Sequence, residues 1–187
     1  MGRLTRRAVL LDRDGTLNVC AALHEYVTTA EAFEWLPGAP EALARLSRAG
    51  YVLGVASNQR GVARGLIPAA TLTAIEQRIQ HDLAPLGSTI EAFRYCPHDY
   101  DARCDCRKPK PGLLQMLAGD LDIDLDQSWM VGDSASDVAA GRAAGCRTAL
   151  VGAPVGPPEP DVSVASLTEF AELLTVAERP LSEAERA

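Results

Sequence analysis

Ala8-Val9-Leu10-Leu11 runs directly into Asp12-Arg13-Asp14-Gly15-Thr16. Four apolar residues bounded by a turn have the character of a short buried strand, and this one ends in two carboxylates spaced by one residue. Asp and Gly also collect at strand ends for purely local reasons of turn formation. An ionised carboxylate beside a low-dielectric interior is nevertheless costly without a cation or hydrogen-bond donors. The segment therefore predicts a site at the carboxyl end of a strand, suited to a divalent metal and a phosphate.

Working outward, apolar runs alternate with helical patterns. The spacing predicts a helix near Pro40 to Arg48 stopped by Gly50, a strand over Tyr51 to Ala56, and a helix from Pro68 to about Leu83. A strand over Ile90 to Tyr95, a helix over Pro111 to Leu117 and a strand over Ser128 to Val131 follow. A helix over Ser136 to Ala144, a strand over Arg147 to Val151, an edge-covering loop with four prolines, Val162-Ser163-Val164 and a helix from Ser166 to about Ala177 complete the series. Repeated strand-helix-strand order requires long crossovers, hence a parallel sheet covered on both faces. The expected fold is α/β, a doubly wound, Rossmann-like three-layer sandwich with no separate cap domain. Its ligands belong at the carboxyl ends of the strands, where Asp12, Ser57-Asn58, Cys96 and Asp133 fall.

A length of 187 residues suits one core, so residues 1–177 are expected to form a single domain with a loop at 96–110, and 178–187 a charged tail. The apolar run behind the basic amino-terminal residues is too short for a signal-peptide core, and no stretch is long enough to span a membrane. A cytoplasmic protein with no membrane partner is expected. A net charge of -7 opposes a general nucleic-acid binder. An odd count of five cysteines, three of them within eleven residues, argues for a metal over a disulfide framework.

Cys96-Pro97-His98 and Cys104-Asp105-Cys106 supply four ligands that can close a tetrahedral Zn²⁺ site. Catalytic zinc usually keeps a position open, so four protein ligands predict a structural staple for a loop too small to have its own core. The staple runs into Arg107-Lys108-Pro109-Lys110, and a metal there would fix cations that reach a substrate, although such charges are often only a solvated surface run.

Read in order, Asp12-x-Asp14-Gly15-Thr16, Ser57-Asn58, Lys108 and Gly132-Asp133-x-x-x-Asp137 resemble the four motifs of the haloacid dehalogenase-like phosphatases. The resemblance implies Mg²⁺ held by the carboxylate of Asp12, the main-chain carbonyl of Asp14 and the carboxylate of Asp133. It implies that Asp12 is a nucleophile, that Asp14 is a general acid and then base, and that Ser57 and Lys108 neutralise the phosphoryl group. Asp137 is expected to support this shell through hydrogen bonds.

Leu11 to Asn18, Tyr26-Val27, Ser57-Asn58-Gln59, Gly61 to Gly65, Cys96-Pro97-His98 and Cys106 to Gly112 resemble the zinc-loop branch of heptose-bisphosphate and histidinol-phosphate phosphatases. That resemblance implies a small phosphorylated sugar as substrate, with Asn58, Arg64 and Arg107 as binding residues, guanidinium suiting a distal phosphate. The chain departs from the branch at Ser134, where a basic residue is usual, at Arg60, where a small one is usual, and in a short His98 to Cys104 interval. A small-molecule site without a cap predicts a monomer.

Two rival readings and several lone residues complete the sequence expectations. Gly132-Asp133-Ser134 resembles the serine motif of certain esterases, and a zinc-stapled nucleic-acid module is the non-enzymatic alternative. His24 is expected to be a surface residue, Trp35 and Trp129 to be packing residues, and Cys20 to lack a base.

Overall fold

The structure is a computed structural model describing residues 6–22, 25–153 and 156–176. His24 and the tail 178–187 lie outside the described residues.

Six parallel strands form one sheet: β1 (Ala8–Leu11), β2 (Val52–Asn58), β3 (Ala92–Cys96), β4 (Trp129–Gly132), β5 (Arg147–Val151) and β6 (Val162–Val164). Their spatial order is β3-β2-β1-β4-β5-β6. The chain winds outward from β1 to β3, then returns to place β4 on the other side of β1. The carboxyl ends of β1 and β4 thus flank the crevice where this topology reverses direction. The expected doubly wound sandwich is the observed one.

Alternating side chains divide the sheet between two cores. On one face Val9, Leu11, Leu53, Val55, Trp129 and Val131 meet the apolar sides of α1 (Ala39–Arg48), α2 (Ala69–Leu83) and α5 (Leu167–Val176). On the other, Ala8, Leu10, Val52, Ala56 and Met130 meet α3 (Gly112–Leu121) and α4 (Ala135–Ala144). Pro40 stands in the first turn of α1, and Gly50, at φ +85°, follows its end in a conformation that a Cβ would oppose. Gly54 has no side chain because Leu10, Leu117 and Leu121 close over it.

Several boundaries moved for local reasons. Helix α3 continues one turn beyond the expected Leu117 because Leu121 extends the apolar stripe, and it ends at Asp122, at φ 54°. Strand β3 starts at Ala92, not Ile90, since Gln80 accepts the Ile90 N–H and donates to its carbonyl, taking that residue out of the ladder. Val162–Val164 proves to be a sixth strand, pinned to β5 by the Asp161 carboxylate, which accepts from both the N–H and the hydroxyl of Thr148. Trp35 and Trp129 pack as expected, edge-on to Phe33 and Phe170, and Trp35 also donates to Asp82. Among the described residues no helix is long and apolar enough to cross a membrane.

Candidate active site

The strand ends bring three carboxylates together. Asp12 follows β1, Asp133 follows β4 and Asp137 lies one turn into α4, and a carboxylate oxygen from each falls within 4.8 Å of the others. Two glycines make that approach possible. A Cβ on Gly15 would lie 2.1 Å from Asp133 Oδ2, and one on Gly132 would lie 2.4 Å from Asp137.

Lys108 reaches this cluster from the loop after β3. Its ammonium is 2.8 Å from Asp12 Oδ1 and 2.5 Å from Asp137 Oδ1, with only 3% of the residue exposed. Asp137 Oδ2 accepts from the Ser134 N–H at 3.1 Å and from its hydroxyl at 2.6 Å, in a capping box at the start of α4. Both Asp137 oxygens are therefore engaged.

One lysine cannot balance three carboxylates in a partly desolvated crevice. Burial pushes Asp133 up to about 6, with Asp12 and Asp137 adding repulsion. Burial likewise raises Asp12, against the attraction of Lys108 and with further repulsion from Asp137. Lys108 is pulled the other way: its burial disfavours the ammonium, but Asp12 and Asp137 outweigh that and hold it charged. Surplus negative charge on hard oxygen donors fits a divalent cation such as Mg²⁺. With both Asp137 oxygens engaged, Asp12 and Asp133 are the carboxylates disposed to take it.

Asp14 lies to one side of the acid cluster. Its carboxylate accepts from Arg13 Nη2 at 2.9 Å to each oxygen, from Gln59 Nε2 at 2.8 Å and from Asn18 Nδ2 at 3.0 Å. Arg13, Gln59 and Asn18 stand inside motifs quoted from the sequence, which assigned them no role. Arg13 occupied the unassigned position of the first motif, and only the fold brings Gln59, 45 residues away, against Asp14.

Ser57, at 2% exposure near the end of β2, accepts from Gln59 Nε2 at 3.1 Å. Asn58, expected to touch substrate, borders a cleft with Arg107 and also brackets the main chain of Lys108. Its Oδ1 accepts the Lys108 N–H and its Nδ2 donates to the Lys108 carbonyl, each at 3.1 Å. Arg107 borders a cleft of about 500 Å³ together with Asn58, Tyr100 and Lys108. Its guanidinium stacks on Tyr100 at 4.5 Å, opposite Arg60 at 4.0 Å. Arg60, the departure noted in the sequence, pairs with Asp99 at 2.5 Å. Arg64 is exposed on the loop after β2, near enough to Asp99 to help hold that carboxyl below its usual range, after the Tyr100 N–H and Arg60.

Cys96, His98, Cys104 and Cys106 converge, all four ligand atoms lying within 4.8 Å of one another. Bonds of about 2.3 Å to sulfur and 2.0–2.1 Å to nitrogen give a tetrahedral zinc ligand separations of about 3.8 Å (S to S) and 3.6 Å (S to N). Cys96 Sγ lies 3.8 Å from Cys104 Sγ and 3.6 Å from His98 Nδ1, and Cys106 Sγ lies 3.2 Å from the same nitrogen. The donor set and its spacing fit zinc.

The esterase reading fails on geometry. The Ser134 hydroxyl faces Asp137 and Ser136 at the helix cap, and among the described residues no histidine bonds to it. Burial, followed by repulsion from Asp133, Asp14 and Asp12, pushes Cys20 up to about 11 and leaves it a poor nucleophile.

Comparison with known proteins agrees with this geometry. Residues 105–169 match the HAD-hydrolase-like family model. The D-glycero-beta-D-manno-heptose-1,7-bisphosphate 7-phosphatase of Pseudomonas aeruginosa is 41% identical over 148 residues, covering 79% of this chain and 82% of that protein. The enzyme of the same name from Pseudomonas putida is 43% identical over 145 residues, covering 78% and 82%. The crystal structure of D,D-heptose 1,7-bisphosphate phosphatase from Bordetella bronchiseptica, complexed with magnesium and phosphate, superposes with a TM-score of 0.85 at 36% identity, over 91% of this chain and 99% of that one. At this identity over more than three quarters of each chain, the chain belongs to the haloacid dehalogenase-like phosphatases, in the family of the heptose-bisphosphate 7-phosphatases.

Proposed function

We propose that the protein removes the 7-phosphate of D-glycero-D-manno-heptose 1,7-bisphosphate through an aspartyl-phosphate on Asp12. The observation that carries the mechanism is the Asp12–Lys108 pair, which anchors one carboxylate oxygen at 2.8 Å and leaves its twin to attack. The named activity of the relatives and the cleft beside Arg107 support the substrate.

Phosphate monoesters are so inert that their enzymes reach accelerations of up to about 10²¹-fold, far beyond the 10²–10⁴ that one acid or base supplies. Several groups must act together. In this reading Asp12 displaces the sugar oxygen from phosphorus while Asp14 protonates that oxygen. Asp14 then takes a proton from the water that cleaves the aspartyl-phosphate. Lys108 and Ser57 donate to the phosphoryl oxygens. Mg²⁺, held by the carboxylates of Asp12 and Asp133 and the Asp14 carbonyl, would neutralise charge on the transferring group. Zn²⁺ on Cys96, His98, Cys104 and Cys106 would have no part in the chemistry and would fix the loop carrying Arg107 and Lys108. Arg64 and Arg107 would receive the distal phosphate or sugar.

The same reading places the enzyme in the cytoplasm as a monomer acting on a small molecule, without nucleic-acid or membrane partners. Five unpaired cysteines suit a reducing compartment, and the charge of -7 opposes binding to nucleic acid. The test is phosphate release with Mg²⁺ from both anomers of the heptose bisphosphate, from fructose bisphosphate and from histidinol phosphate. Preference for a heptose bisphosphate supports the proposal. Preference for histidinol phosphate or another sugar phosphate overturns the substrate and keeps the chemistry.

A further inference from the structure

Arg13 is the largest wholly buried side chain of the described residues, at 0% exposure. An interior guanidinium is expensive to desolvate, and an apolar residue of similar volume would fill the space at lower cost. Its contacts show what sets its position. Nη2 lies 2.9 Å from each oxygen of Asp14, and Nε lies 3.3 Å from Oδ1. Nη1, also buried, has no hydrogen-bond partner among the described residues. The guanidinium thus sits where it serves Asp14, at the expense of its own hydrogen bonding.

Gln59 completes the arrangement and is itself 2% exposed. Its Oε1 accepts from Arg13 Nη2 at 3.3 Å. Arginine can only donate, so the amide has one sensible orientation, and its Nε2 must face Asp14 Oδ2 at 2.8 Å and Ser57 Oγ at 3.1 Å. Asn18 donates to the other Asp14 oxygen at 3.0 Å. These three residues come from the first turn and from the end of β2, so the direction of one carboxylate is fixed by two separate parts of the chain.

We propose that Arg13 and Gln59 are positioning residues that aim the Asp14 carboxyl group at the departing oxygen of the substrate. This inference rests on the reading of Asp14 as the general acid given above. In the first half-reaction the bond from Asp12 to phosphorus forms, the bond from phosphorus to the sugar oxygen breaks, and the proton of Asp14 passes to that oxygen. In the second half-reaction water attacks phosphorus, Asp14 receives its proton, and Asp12 is released. Both proton transfers need the same oxygen in the same place, and small misplacements of a reacting group carry large losses of rate.

Leaving-group dependence separates positioning from general structural support. An alkoxide departs poorly without a proton, whereas 4-nitrophenolate departs well without one, so only alkyl phosphates depend on the acid. The experiment measures kcat for a sugar phosphate and for 4-nitrophenyl phosphate in the full-length enzyme and in Asp14→Asn, Arg13→Met, Arg13→Lys and Gln59→Leu. The expected result is a loss of about 10²–10³-fold on the sugar phosphate in Arg13→Met and Gln59→Leu, with 4-nitrophenyl phosphate falling less than about tenfold. Arg13→Lys should recover part of the loss. The ratio of the two rates is internal to each sample, so partial misfolding of one variant does not mimic the effect. Equal losses on both substrates in Arg13→Met and Gln59→Leu, with Asp14→Asn still selective, overturn the positioning role and leave Asp14 as the acid. A non-selective Asp14→Asn overturns both.

Discussion

Gly15 and Asp133 stand so close that a Cβ on the glycine would fall 2.1 Å from Oδ2 of the aspartate. The first turn and the end of β4 are thus in direct contact where the cation is proposed to sit. Gly15 also has φ +85°, where an L side chain costs about 1–2 kcal/mol. Gly15→Ala is expected to push Asp133 aside, weaken Mg²⁺ binding and lower kcat by about 10²-fold. Calorimetric titration with Mg²⁺ checks this, and an unchanged affinity would contradict the assignment of Asp133 to the metal.

Asp133 is held up at about 6 by burial and by Asp12 and Asp137, against an ordinary value of 3.8. The folded state therefore binds more protons than the unfolded state between those values. Its ionised form costs stability above about pH 6, and the cost disappears as the pH falls below 3.8. Asp133→Asn removes the repulsion along with the metal ligand. In magnesium-free buffer at pH 7 the variant should melt above its parent, by about 2–4 °C per kcal/mol relieved. The gap should close by about pH 4. Calorimetric melts across that range check the sign, and a variant that melts lower at pH 7 would show that Asp133 is stabilised by its neighbours.

Asp12→Asn tests the covalent route. An amide is a weak nucleophile and a weak metal ligand, while Lys108 keeps Asp137 as a partner at 2.5 Å, so the fold should persist. Phosphate release should fall by more than about 10⁴-fold with the circular dichroism spectrum unchanged. Turnover near the parent level would rule out attack by Asp12.

The legibility of this site follows from where each residue's signal is stored. Asp12, Ser57 and Asp133 stand at or just beyond apolar runs, and a strand that ends in a polar residue can be read from the run itself. The alternation of strands and helices carried the parallel sheet for the same reason, whereas the strand order that sets the switch point is seen only in the fold. Asn58 has a structural task that sequence could not show, because its amide bonds Lys108, 50 residues on. Arg13 looked like a spacer between two acids, since sequence does not reveal that a cation next to an acid is folded inward. Val162–Val164 is too short for periodicity to mark it as a strand, and its place follows from the hydrogen bonds of Asp161 to Thr148.

Asn58→Leu should show what that clamp contributes. It leaves the main-chain N–H and carbonyl of Lys108 without their side-chain partners, at a cost of about 1–3 kcal/mol, or a melting point about 2–12 °C lower. Lys108 should then lose its fixed approach to Asp12, and kcat should fall more than KM rises. If KM alone changed, Asn58 would be a substrate contact after all.

The cysteine loop makes the final case for coupling between a distant ligand set and the reaction. Cys106 is followed at once by Arg107, which stacks on Tyr100, and by Lys108, which is buried against Asp12 and Asp137. Zn²⁺ would add four bonds to residues 96–110, a loop too short to bury a core of its own. Cys106→Ser, or treatment with a zinc chelator, should take the zinc content from about one ion per chain to none. Hydrogen-exchange protection should be lost across residues 98–110, and KM for the sugar phosphate should rise by about tenfold as Arg107 loosens. The sheet should keep its protection, since the strand ladder does not depend on the loop. Parent protein that contains no zinc and has ordinary kinetics would show that the four ligands meet for another reason.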